Sequence, residues 1–457
     1  MSRETETTRV REFSFSGDVV DRVLGSIDPT DDVFVLERWD PNSLRADISY
    51  VGFSNELEII QSSRRNPGDD ASEFRRLEEI LAAARGTSGG ALHGLSGGVL
   101  AFYSYESLTD SDALATGPRA MFMQPRGMLI FDHQQSKGYA IVPVGDSDGG
   151  QGDVDLLDRL ESLCNGSEQI PIMEHRAEPK WTYHTAEGEF VEFASKAIER
   201  SRLDPELDGT VLSVLGSTQS DIPTISSYRW LRRINPSTYM FLAQSSQFAV
   251  WGATSLTLAR LKGNTLTVET DGATRPVESQ ADGSRFVWVP SEKEIDEYDV
   301  VLDALVDDLK PIVKPESVHF VAELQERRFF DLLHLFAEME AEKREDVSAL
   351  DVVRRLSPHG AAVGYTRKRA TETIAELEPV SRGPFSGTIG FFGFDGSLES
   401  AAVTRSMWKT PDGTFIHAGA KVVAASDPAS EYRECVLKTK ALRDCARLAV
   451  LGESGPR

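Results

Sequence analysis

The chain has 457 residues, 40% of them hydrophobic, enough to bury a large core as one composite domain or as two. Its 72 acidic residues outnumber 49 basic ones, and the formal net charge of −23 disfavours nucleic acid and anionic membrane as partners, since both need a basic surface. Cys164, Cys435 and Cys445 give neither a disulfide framework nor a metal spacing; the opening MSRETETTRVREF has no apolar core, and no run approaches a membrane span, so the cytoplasm is the expected location.

Residues 33–60, VFVLERWDPNSLRADISYVGFSNELEII, carry two strand patterns joined by a polar turn. An amphipathic helix is expected over 73–85, followed by a glycine-rich GTSGG, a strand in LSGGVLAFYSYES and a hairpin in RGMLIFDHQQSKGYAIVPV. The clearest loop signal is GDSDGGQGD at 145–153, and residues 167–184 read as a linker between an N-terminal region, 1–166, and a C-terminal one, 185–450. A helix over 187–202 and a strand over 210–214 come next, then INPSTYMFL and FAVWGATSLTLAR as consecutive strands. Ser291 and Glu294 fit a capping box opening a helix over 291–309. His319 falls in a strand, whereas the apolar run around His334 reads as a helix face.

From Gly383 onward, GPFSGTIGFFGFDG, SAAVTRSMW and TFIHAGAKVV alternate small, aromatic and branched residues as strands do, with Asp395-Gly396 and Asp412-Gly413 as hairpin turns. Asp427-Pro428 starts a helix on which Glu431, Glu434 and Lys438, three and four residues apart, share a face. Acidic residues suit any first helical turn, but two carboxylates beside an ammonium also suit a cation and an anion. Arg405 is the one charge in SAAVTRSMW, and a charge in such a strand must be paired or must meet a ligand anion.

The order GPFSGTIGF, Thr404-Arg405, AGAK at 418–421 and SDPASEYRECVLK resembles the closing blocks of the chorismate-utilising enzymes, the family of anthranilate synthase component I, aminodeoxychorismate synthase, isochorismate synthase and salicylate synthase. The resemblance covers nearly the whole chain and is closest to anthranilate synthase component I. It implies an α+β fold in which large antiparallel β-sheets pack face to face with helices outside. It also implies Mg²⁺ held by Glu297 and Glu434, with Glu431 supporting them and Glu294 given mainly to its helix cap. Arg405 and Lys438 would take substrate carboxylates, while Thr274, Ala361, Phe385, Gly419 and Lys421 would line the substrate pocket. His334 would assist the loss of pyruvate that makes the ring aromatic.

Several positions depart from the family pattern. GASPE reads GATSL, so Leu256 stands where a glutamate is the proposed general acid for the departing C4 hydroxyl. Thr210 stands where aminating members carry glutamine and where isochorismate and salicylate synthases carry the lysine that activates water; threonine is no base at neutral pH. VETDGATRP matches the PIAGTRP turn, with Gly272 at the lysine position of aminodeoxychorismate synthases. Arg38 replaces the LLES serine of the tryptophan pocket, which predicts weak or absent inhibition by tryptophan. The expected function is a Mg²⁺-dependent lyase that adds a nucleophile at C2, eliminates pyruvate, or does both on chorismate or a close derivative, with a glutamine amidotransferase subunit as partner. The alternatives are a catalytically silent homologue that binds a chorismate-like ligand or the amidotransferase, and an isochorismate or salicylate synthase-type activity.

Overall fold

A computed structural model describes residues 8–40, 43–54, 57–60, 72–84, 97–109, 117–143, 151–171, 177–276, 289–329 and 332–452. Two antiparallel sheets dominate these residues. The first holds twelve strands: Thr8–Ser14, Lys137–Pro143, Gly127–Asp132, Arg45–Ser54, Asp32–Asp40, Tyr239–Gln244, Ala249–Thr254, Arg405–Thr410, Gly413–Val422, Gly209–Thr218 and Gly364–Tyr365 in spatial order, with Thr182–Tyr183 pairing beside Gly209–Thr218. The second holds nine, in the order His319–Phe329, Leu332–Glu342, Thr265–Pro276, Thr257–Lys262, Leu398–Ala402, Thr388–Gly393, Gly98–Tyr103, Ala120–Met123 and Glu58–Ile60. Strands from regions 1–166 and 185–450 adjoin in both sheets: Asp32–Asp40 pairs with Tyr239–Gln244, and Gly98–Tyr103 with Thr388–Gly393.

Side-chain alternation divides the core, because successive residues of a strand face opposite ways. Phe34 and Leu36 point between the sheets, where they meet Leu100, Phe102, Phe241 and Trp408, while Val33 and Val35 face the helices outside. On the second sheet Leu100 and Phe102 face inward, and Val99, Ala101 and Tyr103 face outward. The stacked rings of Tyr50 and Phe391, 5.0 Å apart and 15° from parallel, fasten one sheet to the other. Each fully buried large side chain of this kind contributes about 1.5–3 kcal/mol. Helices Val19–Ser26, Gln151–Leu163, Thr224–Ile234 and Lys440–Leu451 cover the first sheet, and Glu292–Leu309 and Ala349–Leu356 the second.

The hairpin turns at Asp395-Gly396 and Asp412-Gly413 are present, Gly396 taking the positive φ of 84° that favours glycine. Three expectations are corrected. Residues 151–153 of the expected loop open the helix Gln151–Leu163, the rest of that loop up to residue 150 lying outside the described residues. Residues 268–276 form part of the strand Thr265–Pro276 rather than a turn, with an irregular register between Asp271 and Thr274. His334 lies in the strand Leu332–Glu342 and not on a helix: Leu333, Leu335, Ala337, Met339 and Ala341 alternate into one core cluster with period two.

Two neighbouring strands cross between the sheets. After Ala249–Thr254 in the first sheet the chain passes through Ser255 and Leu256 into Thr257–Lys262 in the second. Beside it, Leu398–Ala402 of the second sheet passes through Val403 and Thr404 into Arg405–Thr410 of the first. The amide of Ala402 donates to the Leu256 carbonyl at 3.1 Å, and the hydroxyls of Thr404 and Thr254 meet at 3.0 Å. This seam positions the candidate site.

Candidate active site

Arg405 is the first residue beyond the seam and pairs with Ala253. Burial pushes its guanidinium below the usual arginine range, with the nearby charge of Asp271 acting the other way. Among the described residues no hydrogen bond or ion pair reaches that guanidinium. Asp271 approaches from the second sheet. Burial raises its carboxyl to about 7, assisted by Glu269 and opposed by Arg327, by a hydrogen bond with the Ser255 side chain and by Arg405. Leu256, next to Ser255, is buried against Ala361, Ala362 and Ala402, so the expected acid position is apolar.

The adjoining strands extend this cleft. Tyr365 pairs with Gly209 and its hydroxyl lies 3.3 Å from the Thr270 hydroxyl. The Lys421 ammonium sits 5.9 Å from the centre of the Tyr365 ring and is bound to Asp208 at 2.7 Å. Thr210 pairs with Val422, one residue from Lys421, so its side chain faces the helices on the other side of the sheet, where its buried hydroxyl has no hydrogen-bond partner among the described residues. A buried polar atom left so costs about 1–3 kcal/mol.

On the strand Gly413–Val422, a Cβ at Gly419 would come 2.9 Å from the Phe385 ring, so glycine is what allows this close approach. The Gly419 carbonyl accepts from Lys438 at 3.1 Å, and Lys438 also binds Glu434 at 2.7 Å across one turn of the helix Pro428–Lys438. Glu431 stands one turn earlier; burial raises its carboxyl above the usual range, against a hydrogen bond from Ser426. Phe385 stacks on His417, 4.7 Å away.

His417 belongs to a buried network that holds this floor. Its Nε2 lies 2.9 Å from the Ser213 hydroxyl and its Nδ1 3.2 Å from the Arg382 carbonyl. Ser213 donates to Glu378 at 2.8 Å, and Arg382 binds Glu378 at 2.8 Å. Glu106 receives the backbone amides of Arg382 and Gly383 at 2.8 and 3.1 Å. Burial pushes His417 down to about 3, so it is a neutral structural imidazole at ordinary pH.

The carboxylate of Glu294 accepts from the Ser291 amide and hydroxyl at 2.7 and 2.8 Å, which is the capping box expected from sequence. The side chains of Thr274, Glu297 and His334 lie outside what is described, but the register sets Thr274 opposite His334. Among the described residues no group of three or more His, Cys, Asp and Glu is gathered to hold a metal. Glu431 and Glu434 supply oxygen donors on one helix face, and carboxylate oxygens are the donor type a hard divalent cation takes. The structure thus gathers Leu256 with Ala361 and Ala402 at the seam that Arg405 follows, Lys421 with Tyr365 and Asp208, and Gly419 with Phe385, Lys438 and Glu434, whereas Thr210 faces away from Lys421.

Asp271, Tyr365 and the Glu378–Arg382 pair were not found from sequence. Asp271 stands between Glu269 and Arg275 in TLTVETDGATRP, so it lacks the isolation that singled out Arg405. Glu378 and Arg382 stand four residues apart, a spacing that reads as an ordinary helix-surface pair. At the expected regulatory position, Arg38 lies 3.7 Å from Glu399, which also accepts from Tyr239. Further along, Arg260 and Arg327 bind Glu269 at 3.1 and 3.3 Å.

A sequence profile described as chorismate binding enzyme matches residues 34–444. Among curated proteins, anthranilate synthase component 1 of Acinetobacter calcoaceticus is 27% identical over 382 residues, covering 78% of this chain and 76% of its own. Aminodeoxychorismate synthase component 1 of Bacillus subtilis is 26% identical over 368 residues, 77% of each chain. Among solved structures, the menaquinone-specific isochorismate synthase MenF of Escherichia coli superimposes with a TM-score of 0.71 over 97% of this chain and 95% of its own at 17% identity. Anthranilate synthase component I of Streptococcus pneumoniae gives 0.69 over 95% and 92% at 20% identity.

Proposed function

The chain belongs to the chorismate-binding enzyme family, and from that premise we propose that it is a Mg²⁺-dependent lyase of anthranilate synthase component I type, acting on chorismate or a close derivative. The observation that carries the reading is Arg405, a guanidinium recessed at the seam with no hydrogen bond or ion pair among the described residues. A buried cation of this kind is stable only if a ligand anion completes it, and chorismate is a dianion. Lys438 offers a second cation beside the Gly419 carbonyl.

Glu434 and Glu431, with Glu297 from the helix Glu292–Leu309, are the residues that would hold Mg²⁺, whose chemistry is to bind a substrate carboxylate and neutralise its charge. Phe385 and Gly419 shape the wall against which the ring lies, and Ala361 and Leu256 exclude water from one side of it. His334 is the base for the elimination of pyruvate, with Thr274 across the strand pair positioning the substrate. Thr210 cannot activate water, which favours an amine nucleophile over isochorismate or salicylate formation. Ammonia would come from a glutamine amidotransferase subunit.

A second reading is favoured by Leu256 alone: with no acid there, the substrate already carries its C2 substituent and only pyruvate is lost. Purified protein is incubated with Mg²⁺ and either chorismate plus ammonium or aminodeoxyisochorismate, and pyruvate and ring products are followed by mass spectrometry. Pyruvate from chorismate supports the first reading, pyruvate from aminodeoxyisochorismate alone the second, and none from either with binding retained identifies a silent homologue.

A further inference from the structure

The site lacks a carboxyl group at Leu256, yet the strand paired with Thr257–Lys262 carries one, Asp271. Asp271 stands at the irregular register between Asp271 and Thr274; the Thr257 hydroxyl donates to Glu269 at 2.7 Å, and the antiparallel pairing of Thr257–Lys262 with Thr265–Pro276 carries Asp271, two residues on, toward Ser255 and Leu256 at the seam. Asp271 is recessed but remains partly open to solvent. Among the described residues it has no ion pair, because Arg327 is bound to Glu269 and Arg405 is near enough to act only through its field. Gly272 beside it is pressed against Tyr298, where a Cβ would come within 2.6 Å of the ring, so the backbone that presents Asp271 is fixed.

Resting on the reading that the substrate is chorismate or a close derivative, we infer that Asp271 is the general acid of this chain, having taken over from the apolar Leu256 position. In the step it serves, the amine nitrogen forms its bond to ring carbon C2 and both ring double bonds shift by one bond. The C4–O bond breaks with its electron pair on oxygen, and the Asp271 O–H proton passes to that oxygen, so that water departs. Asp271 is left as the carboxylate and regains a proton from solvent; the added amine gives its surplus proton to solvent.

The surroundings suit both states. A carboxyl held at about 7 is about half protonated at neutral pH and mostly protonated one pH unit below, which leaves it a usable donor, and burial is the main reason. Once the proton has left, the Ser255 hydrogen bond and the charges of Arg327 and Arg405 favour the anion. Other titratable neighbours are Glu269 on its own strand, Tyr298 against Gly272, Tyr365, and His359, whose Nε2 lies 3.3 Å from the Glu269 carbonyl oxygen. Burial drives Tyr365 above and His359 below their ordinary values, His359 to about 4, so neither changes charge near neutrality.

The test uses the full chain with Asp271→Asn, Asp271→Glu and the double variant Asp271→Asn/Leu256→Glu, each checked for native thermal unfolding. Turnover is measured on chorismate with ammonium and on aminodeoxyisochorismate, which needs no departing hydroxyl. The expected result is a loss of ~10²–10⁴ on chorismate in Asp271→Asn, with a loss at least about tenfold smaller on aminodeoxyisochorismate. The wild-type rate on chorismate should fall as pH rises through about 7, a limb absent from Asp271→Asn. Asp271→Glu and the double variant should each recover part of the lost rate. Equal losses on both substrates, or wild-type protein that releases pyruvate only from aminodeoxyisochorismate, overturns the inference while leaving the enzyme reading in place. No pyruvate from either substrate overturns the functional reading, and this inference with it.

Discussion

Replacing Arg405 with methionine should separate stability from function. Methionine fills a similar volume and adapts to irregular space, so packing changes little. The guanidinium is recessed without a described hydrogen-bond partner, and removing such a group relieves about 1–3 kcal/mol of desolvation. The measurement belongs at pH 6, because Asp271 titrates at about 7 and is then mostly protonated, which keeps its attraction to Arg405 out of the difference. Urea unfolding should therefore give Arg405→Met a higher midpoint with an unchanged slope. Binding should move the opposite way. Loss of a buried, charge-assisted contact to a carboxylate costs about 2–5 kcal/mol, or about 30- to 5,000-fold in Kd for chorismate by calorimetry. A variant that is destabilised by more than about 1 kcal/mol, or that binds chorismate as well as the parent, refutes the assignment of Arg405 as a ligand anchor.

Tryptophan at millimolar concentration should leave the rate unchanged, since Arg38 and Glu399 lie at the expected regulatory position; full inhibition refutes this. Acid should destabilise the fold between the unfolded histidine value, ~6.5, and the folded values of His417 and His359, about 3 and about 4. Both imidazoles are held neutral when folded, so their contribution is complete above that range and is lost at up to about 1.4 kcal/mol per pH unit each as pH falls. His417→Gln should show a shallower decline of urea stability between pH 6.5 and 4.5, and an unchanged decline contradicts the neutral assignment. Breaking the buried Glu378–Arg382 pair by Glu378→Ala should cost about 3–5 kcal/mol, because it strands a buried guanidinium; a loss under about 1 kcal/mol in thermal unfolding contradicts that role.

Individual strands and hairpins were legible because period-two alternation and the Asp-Gly turns act over a few residues, while the packing of two sheets face to face came from the family resemblance. Where each strand pairs depends on the whole chain, so the interleaving of both regions in both sheets was not. His334 shows why one strand was missed: an apolar run such as LLHLFAEM satisfies helical and strand spacing alike, and only pairing with Thr265–Pro276 decides between them. The match of VETDGATRP to the PIAGTRP block suggested a turn, but Gly272 sits where the strand shifts register and packs against Tyr298. Within the site, Arg405, Lys438, Glu434 and Gly419 were legible because each breaks the character of its element or matches a spaced block. Asp271 was passed over because its meaning comes from burial and from Ser255, which belongs to a different strand crossing.

The most direct test follows pyruvate by mass spectrometry when the protein is given chorismate, Mg²⁺ and ammonium, with Glu434→Gln alongside. The account predicts one pyruvate for each aromatic ring formed, dependent on Mg²⁺ and lost in Glu434→Gln. Absence of pyruvate from chorismate and from aminodeoxyisochorismate, in a protein that still binds them, would contradict it and leave a shared fold without the chemistry.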